Sequence, residues 1–349
     1  MTEPPTSQGG TAPEGFPSLT RPDGTAITYV GTLTDLKGLP PTLPSEAIYS
    51  SAAALEHIEG AMSCSGEATL LVTEGGRTSA IWNASEQSQS EPVAIKGFAP
   101  GTPGTVVAPG LAVGLDLPEP DWRLVVRDEQ GITMEVLAGA LQGSLPPSLA
   151  ISDTDLWAVL WDEADLRVYR MPIDGSEWKN LGPSTLVSAT EGGVLSVRDE
   201  WSDPSMGRKF EVDVLSVAGA EPVVSGSHGV PGIAVTDVAR SGDLLALYLQ
   251  VGQGDSPRIV VVDRDEAFAV SLERPAASLG VTEGYVVWQE TEAESGGPGD
   301  QYLLDVEARA VQTLGMGVPT TTFPIVCGDH IAWTASDSGG TTVRKAVLR

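Results

Sequence analysis

One short phrase recurs seven times along the 349 residues: an apolar run, a turn bearing Gly or Asp, and a second apolar run. The copies include Ser65-Gly66-Glu67-Ala68-Thr69-Leu70-Leu71, Pro109-Gly110 before Leu111–Leu115, and Asp153-Thr154-Asp155-Leu156-Trp157-Ala158-Val159. They continue with Glu191-Gly192-Gly193-Val194-Leu195, Ser241-Gly242-Asp243-Leu244-Leu245, Glu283-Gly284-Tyr285-Val286-Val287-Trp288 and Cys327-Gly328-Asp329-His330-Ile331-Ala332-Trp333. The aligned turn positions are 66, 110, 154, 192, 242, 284 and 328, so the steps are 44, 44, 38, 50, 42 and 44. A period in the forties made of short strands cannot be a helical bundle or an alternating strand–helix fold. It marks the blade of a β-propeller, in which each four-stranded sheet buries its faces against its neighbours.

The expected fold is therefore all-β, a seven-bladed propeller spanning 24–349, preceded by a flexible tail, 1–23. The tail is rich in Pro, Thr, Ser and Gly and carries few large apolar residues, too little to order itself by burial. Within each blade the turn phrase separates the innermost strand, A, from the second strand, B. Blade three reads as Ser148–Ser152, Leu156–Trp161, Leu166–Met171 and Trp178–Leu181, with the hairpin signal Asp174-Gly175 between C and D. The middle of strand B is small in five copies, Gly114, Ala158, Ser196, Ala246 and Ala332, as expected where sheets crowd near an axis.

The last copy stops one strand short, after Val343–Leu348. An open ring would leave edges that invite aggregation. The N-terminal segment Ala26–Leu33 has strand character and no blade of its own, so it is expected to pair with Val343–Leu348 and close the ring. Residues 34–54 would then cross from rim to axis, and Ala52–Glu59 would form a short helical turn.

Cys64 and Cys327 are the two cysteines, and both end an inner strand just before the turn. They belong to the first and last blades, which are neighbours on a closed ring. Equivalent positions there come within the distance a disulfide needs, and a bridge implies an oxidising compartment.

Charge narrows the partners. The net charge is −27, with 20 Lys and Arg against 47 Asp and Glu. Nucleic acid and anionic membrane surfaces are excluded as partners, because phosphate binding needs clustered bases. No apolar run approaches the length of a membrane span. Residues 1–23 also lack the regions of a signal peptide, so an extracytoplasmic location, secreted or lipid-anchored, requires a signal not present in this chain. A monomeric domain is expected.

Recognisable catalytic chemistry is sparse. His57, His228 and His330 have no metal-ligand spacing, and no Gly-x-Ser-x-Gly elbow or Asp-x-Asp-x-Asp-Gly loop occurs. No catalytic residue, metal ligand or cofactor is expected. Two ordered groups remain. Glu67, Asp155, Glu191, Asp243, Glu283 and Asp329 sit at the A–B turns and would ring one mouth of the central channel, drawing in a cation or basic partner. On the opposite face, Trp122, Trp161 and Trp201 fall in or beside the B–C loops of three successive blades, with Asp162 and Glu200 beside them. Exposed Trp next to acids can stack on sugars or anchor a peptide.

Cys327-Gly328-Asp329-His330-Ile331-Ala332-Trp333 and Glu283-Gly284-Tyr285-Val286-Val287-Trp288 resemble the strand–turn–strand phrases of TolB-like and WD40-like propellers of bacterial extracytoplasmic proteins. The resemblance covers about residues 60–349 as a repeat style. Regular Gly-His and Trp-Asp pairs, kelch partners and quinoprotein tryptophan motifs are missing, and Ser336–Thr341 resembles a sialidase Asp-box without its closing aromatic residue. Such propellers mostly serve as interaction platforms, and fold alone does not decide function. The expected function is an exported, non-enzymatic platform binding a protein, peptide or glycan on the B–C loop face. The alternatives are a hydrolase or lyase using carboxylates at the propeller mouth, and a structural component of the cell envelope.

Overall fold

The repeat translates into seven separate sheets in the computed structural model, antiparallel except for one added edge strand. It describes residues 12–34, 43–52, 55–84, 92–95, 105–116, 123–130, 133–135, 148–152, 155–162, 165–173, 178–200, 208–228, 233–250, 256–291, 298–318, 323–337 and 340–348. The innermost strands are His57–Met62, Val106–Ala108, Ser148–Ser152, Leu186–Thr190, Ala234–Ser241, Ala276–Thr282 and Ile325–Cys327. Each touches the next, and the seventh touches the first, so the ring is closed. No helix occurs among the described residues, and none is long and apolar enough to cross a membrane.

The turn phrase reads as it does because its glycine occupies the left-handed region, where a Cβ is strained. Gly66 has φ 84° and Gly242 φ 57°, and the same sign holds at 110, 192, 284 and 328. Position 154 lies outside the described residues. The apolar run after each turn is continuous rather than alternating because strand B is covered on both faces. In Ala68–Glu74, Asp155–Asp162 and Leu244–Gln250 the first six residues are all buried. The small mid-strand residues Gly114, Ala158, Ser196, Ala246 and Ala332 are buried.

The fold has no single core. Seven apolar clusters are found among the described residues, one at each blade junction. Trp157 and Val159 of blade three meet Val187, Val194 and Leu215 of blade four, for example. Side-chain hydrogen bonds stitch several junctions near the axis. Ser148 Oγ donates to the Val187 carbonyl at 3.0 Å, Thr190 Oγ1 to Arg240, Ser278 Oγ to Phe323 at 2.9 Å, and Thr282 Oγ1 to Gly328.

The seventh blade is closed by an N-terminal strand, but not by Ala26–Leu33. Ser45–Ser51 pairs antiparallel with Gly340–Val347 as the outermost strand. Thr28–Leu33 instead lies parallel to Glu266–Ser271, on the outer edge of blade five. Ser18–Thr20 pairs with Gly219–Ser227, on the outer edge of blade four. Burial explains the choice. Leu19, Ile27 and Tyr29 are buried in the cluster between blades four and five. The closing strand Ser45–Ser51 buries only Ile48, so its sequence carries little strand signal. No helical turn occurs in the described part of 52–59; His57–Met62 is the first inner strand.

Residues 12–23, placed in the flexible tail by composition, are also held against the ring. Arg258 Nη1 donates to the Gly15 carbonyl at 2.6 Å, and its guanidinium lies 5.0 Å over the Phe16 ring. Tyr29 donates its hydroxyl to the Pro17 carbonyl at 2.9 Å. The N-terminal stretch is thus a strap over blades four and five before it closes blade seven.

Cys64 and Cys327 form the disulfide expected at the seam, with Cα atoms 4.7 Å apart. Lys345 Nζ adds a bond to the Gly66 carbonyl at 3.0 Å and an ion pair to Glu46 at 3.2 Å.

Candidate functional site

A cleft of about 780 Å³ opens between blades three and four, on the face carrying the B–C loops. Blade three supplies Trp161 from the end of strand B, Asp165 and Leu166 from the start of strand C, and Pro183 from the end of strand D. Blade four supplies Arg198 and Asp199 from the end of strand B, and Lys209 and Glu211 from the start of strand C. Ser184 and Thr185, the link between the two blades, form its floor. Most of these side chains come from strand ends, beside the apolar cluster that packs blade three against blade four.

The floor is rigid. Ser184 Oγ donates to the Leu186 carbonyl and receives a bond from Ser196 Oγ, both at 2.9 Å. On the blade-three wall Trp161 is 52% exposed, unusual for so large an apolar side chain. Behind it Asp162 is a structural tie rather than a lining residue. Its Oδ2 accepts from Tyr169 at 3.0 Å and from Asn180 at 3.4 Å, and lies 3.5 Å from Arg167 Nε.

On the blade-four wall Arg198 Nη2 is held between Glu211 at 2.6 Å and Asp213 at 3.0 Å. Asp199 lies 3.4 Å from Arg208, and its side chain is only 6% exposed. Burial raises the Asp199 carboxyl above the usual range, and Arg208 pulls it back. Lys209 forms no ion pair among the described residues.

Of the tryptophans expected on this face, Trp161 lines the cleft; Trp122 and Trp201 lie outside the described residues. Glu200 ends the strand Gly193–Glu200, opposite Lys209, and its side chain is outside the described residues. Asp199, Arg198, Lys209 and Glu211 were not singled out by sequence. Asp199 lies at the end of strand B, two residues before Trp201, and that neighbourhood is the available signal.

The A–B turn acids are on the other face. Glu67, Glu191, Asp243, Glu283 and Asp329 are exposed there. Asp155 is buried and turned to Arg170, at 2.8 Å. These carboxylates do not form the close, buried pair that a hydrolase or lyase at the mouth would need. Among the described residues no group of three or more His, Cys, Asp and Glu could hold a metal ion. His57 bonds Glu59 at 2.9 Å, and His228 is buried against Phe210, its ring centroid 5.2 Å away.

No protein-family model matches the sequence, and no characterised protein matches it by sequence similarity. Solved structures do match the fold. The β-propeller domain of the Trilobed protease from Pyrococcus furiosus superposes with a TM-score of 0.54 at 11% identity, over 81% of this chain and 91% of that one. Kuenenia stuttgartiensis hydrazine synthase gives 0.52 at 13% identity, over 87% of this chain and 96% of that one. Pyrococcus horikoshii acylaminoacyl peptidase gives 0.52 at 11% identity, over 81% of this chain but 49% of that longer one. The Trilobed protease propeller is described as having an open velcro topology; here Ser45–Ser51 and a disulfide close the seam. The likeness is one of fold, and the fold is that of a seven-bladed β-propeller.

Proposed function

We propose that this protein is an exported, non-enzymatic binding platform whose ligand seat is the cleft between blades three and four. The observation that carries the reading is that cleft, about 780 Å³ in volume, with the half-exposed Trp161 at its wall. Its volume falls in the range of sites that enclose a small ligand or a few residues of a chain. An exposed Trp beside charged groups is the kind of anchor on which binding energy concentrates. The Cys64–Cys327 disulfide fits an oxidising, extracytoplasmic setting.

The test is affinity capture from the native cell-surface fraction, quantified by mass spectrometry. Trp161→Ala should lower capture of the main partner about tenfold, as expected for a hot-spot anchor. Asp243→Asn and Glu283→Gln, on the A–B turn face, should leave it unchanged. The reverse pattern would place binding on the acidic mouth and refute the proposal.

A further inference from the structure

Beside the N-terminal strap, one buried ring has no polar partner. His228 is 4% exposed, and among the described residues neither Nδ1 nor Nε2 makes a hydrogen bond. It follows Gly219–Ser227, the strand whose outer edge holds Ser18–Thr20. Its backbone N–H donates to the Arg208 carbonyl at 2.8 Å, and its ring packs on Phe210. Phe210 continues the contact to the strap: a Cβ at Gly226 would touch both the Phe210 ring and Leu19.

The charges acting on this imidazole, among the described residues, are both positive. They are Arg208, just before strand C of blade four, and Arg258, which opens strand C of blade five. The strap meets the same cluster through the Gly15 carbonyl and the Phe16 ring, and Arg258 holds both. The guanidinium that faces His228 is therefore the one that tethers the strap. Asp199 supplies a carboxylate, 3.4 Å from Arg208. At neutral pH, Arg208 and Arg258 against Asp199 leave one positive charge. With Asp199 protonated and His228 charged there are three. A buried charge without a partner is costly. The least-held neighbour is the strap's end, because Ser18–Thr20 pairs over three residues and along one edge.

We propose that residues 12–20 are an acid-released latch. Protonation of His228 turns Arg258 away from Gly15 and Phe16, and Ser18–Thr20 leaves the edge of blade four while the ring stays closed. Tyr29 remains between blades four and five and loses its bond to Pro17. Opening lets water reach His228, which returns from about 4 to its ordinary 6.5. Its contribution to docking is full above 6.5 and is lost as pH falls toward 4. Linkage then raises the open fraction of the latch roughly thirtyfold between pH 7.5 and pH 5. Glu290 and Asp237 destabilise in the opposite direction, as pH rises, so they do not mimic the effect.

Hydrogen exchange read by mass spectrometry at pH 7.5, 6 and 5, corrected at each pH for the intrinsic exchange rate, tests the latch. Protection of residues 13–24 should fall roughly thirtyfold across that range, while Leu244–Gln250 keeps its protection. His228→Phe leaves a ring on Phe210 with no proton to gain, so it should remove most of the fall. Arg258→Met should loosen 13–24 already at pH 7.5 and weaken the response to acid. The wild-type series decides even where a variant folds poorly. Protection of 13–24 that is constant with pH, that falls together with Leu244–Gln250, or that falls equally in His228→Phe overturns the proposal.

Discussion

Replacing both seam cysteines, Cys64→Ser with Cys327→Ser, tests whether the disulfide acts on the folded ring or on the unfolded chain. The bridge spans a sequence separation of 263 residues. In the loop-entropy relation, closing a loop of that size lowers the unfolded chain's entropy enough to stabilise the fold by roughly 5–6 kcal/mol at 25 °C. Measured values for native disulfides run lower, so a loss of about 3–5 kcal/mol is expected. A chain of 349 residues unfolds with an entropy of roughly 0.7 kcal/mol/K, which turns that loss into a fall of about 4–7 °C in Tm. The native seam should be little disturbed, because Ser45–Ser51 still pairs with Gly340–Val347 and Lys345 still bonds Gly66. The assay is scanning calorimetry of the double variant beside the oxidised parent, with hydrogen exchange followed at 340–347. A Tm within about 1 °C of the parent would refute the entropic argument. Lost protection at 340–347 with an unchanged denatured state would show that the bond holds the native seam instead.

Three further outcomes concern buried titratable groups, the strap and a turn glycine. Burial pushes Glu290 up to about 7 and His228 down to about 4. Glu290 is charged in the unfolded chain above its ordinary 4.5 but neutral in the fold, so its stabilisation is lost as pH rises from about 4.5 to 7, at most about 3 kcal/mol. His228 acts oppositely: its contribution is full above 6.5 and is lost as pH falls toward 4. Asp237, also raised to about 7 by burial, adds to the Glu290 trend. Urea melts should therefore show lower stability at pH 8 than at pH 5.5, and Glu290→Gln should flatten that fall. Tyr29→Ala, in the strap, should cost about 3 kcal/mol through the emptied space between blades four and five, read by urea unfolding. Gly242→Ala should cost about 1–2 kcal/mol, because φ 57° strains any Cβ, whereas Asp243→Ala beside it should change little.

The ring was legible because its two signals are local. The left-handed turn glycine and the doubly covered strand B leave their marks within about ten residues of each other, and the register they set put Cys64 next to Cys327. The N-terminal strand assignment failed for a physical reason. Ala26–Leu33 has the stronger apolar pattern because Ile27 and Tyr29 are buried between blades four and five. Ser45–Ser51, an outermost strand burying Ile48 alone, is nearly polar, and edge strands of this kind carry little pattern. The cleft was half legible. Trp161 announced itself as an aromatic in a loop, while Arg198, Asp199, Lys209 and Glu211 come together only through the antiparallel pairing of Gly193–Glu200 with Lys209–Ser216. A buried imidazole without a hydrogen-bond partner has no sequence signature at all.

The N-terminal strap sets a schedule for synthesis. Ser50 meets Thr342 across 292 residues, and Thr28–Leu33 waits for Glu266–Ser271. At roughly 5–20 residues per second, Ser45–Ser51 spends about 15–60 s without Gly340–Val347 while blades one to six emerge. The three strands of the strap therefore find their partners in chain order, on blade four, then blade five, then blade seven.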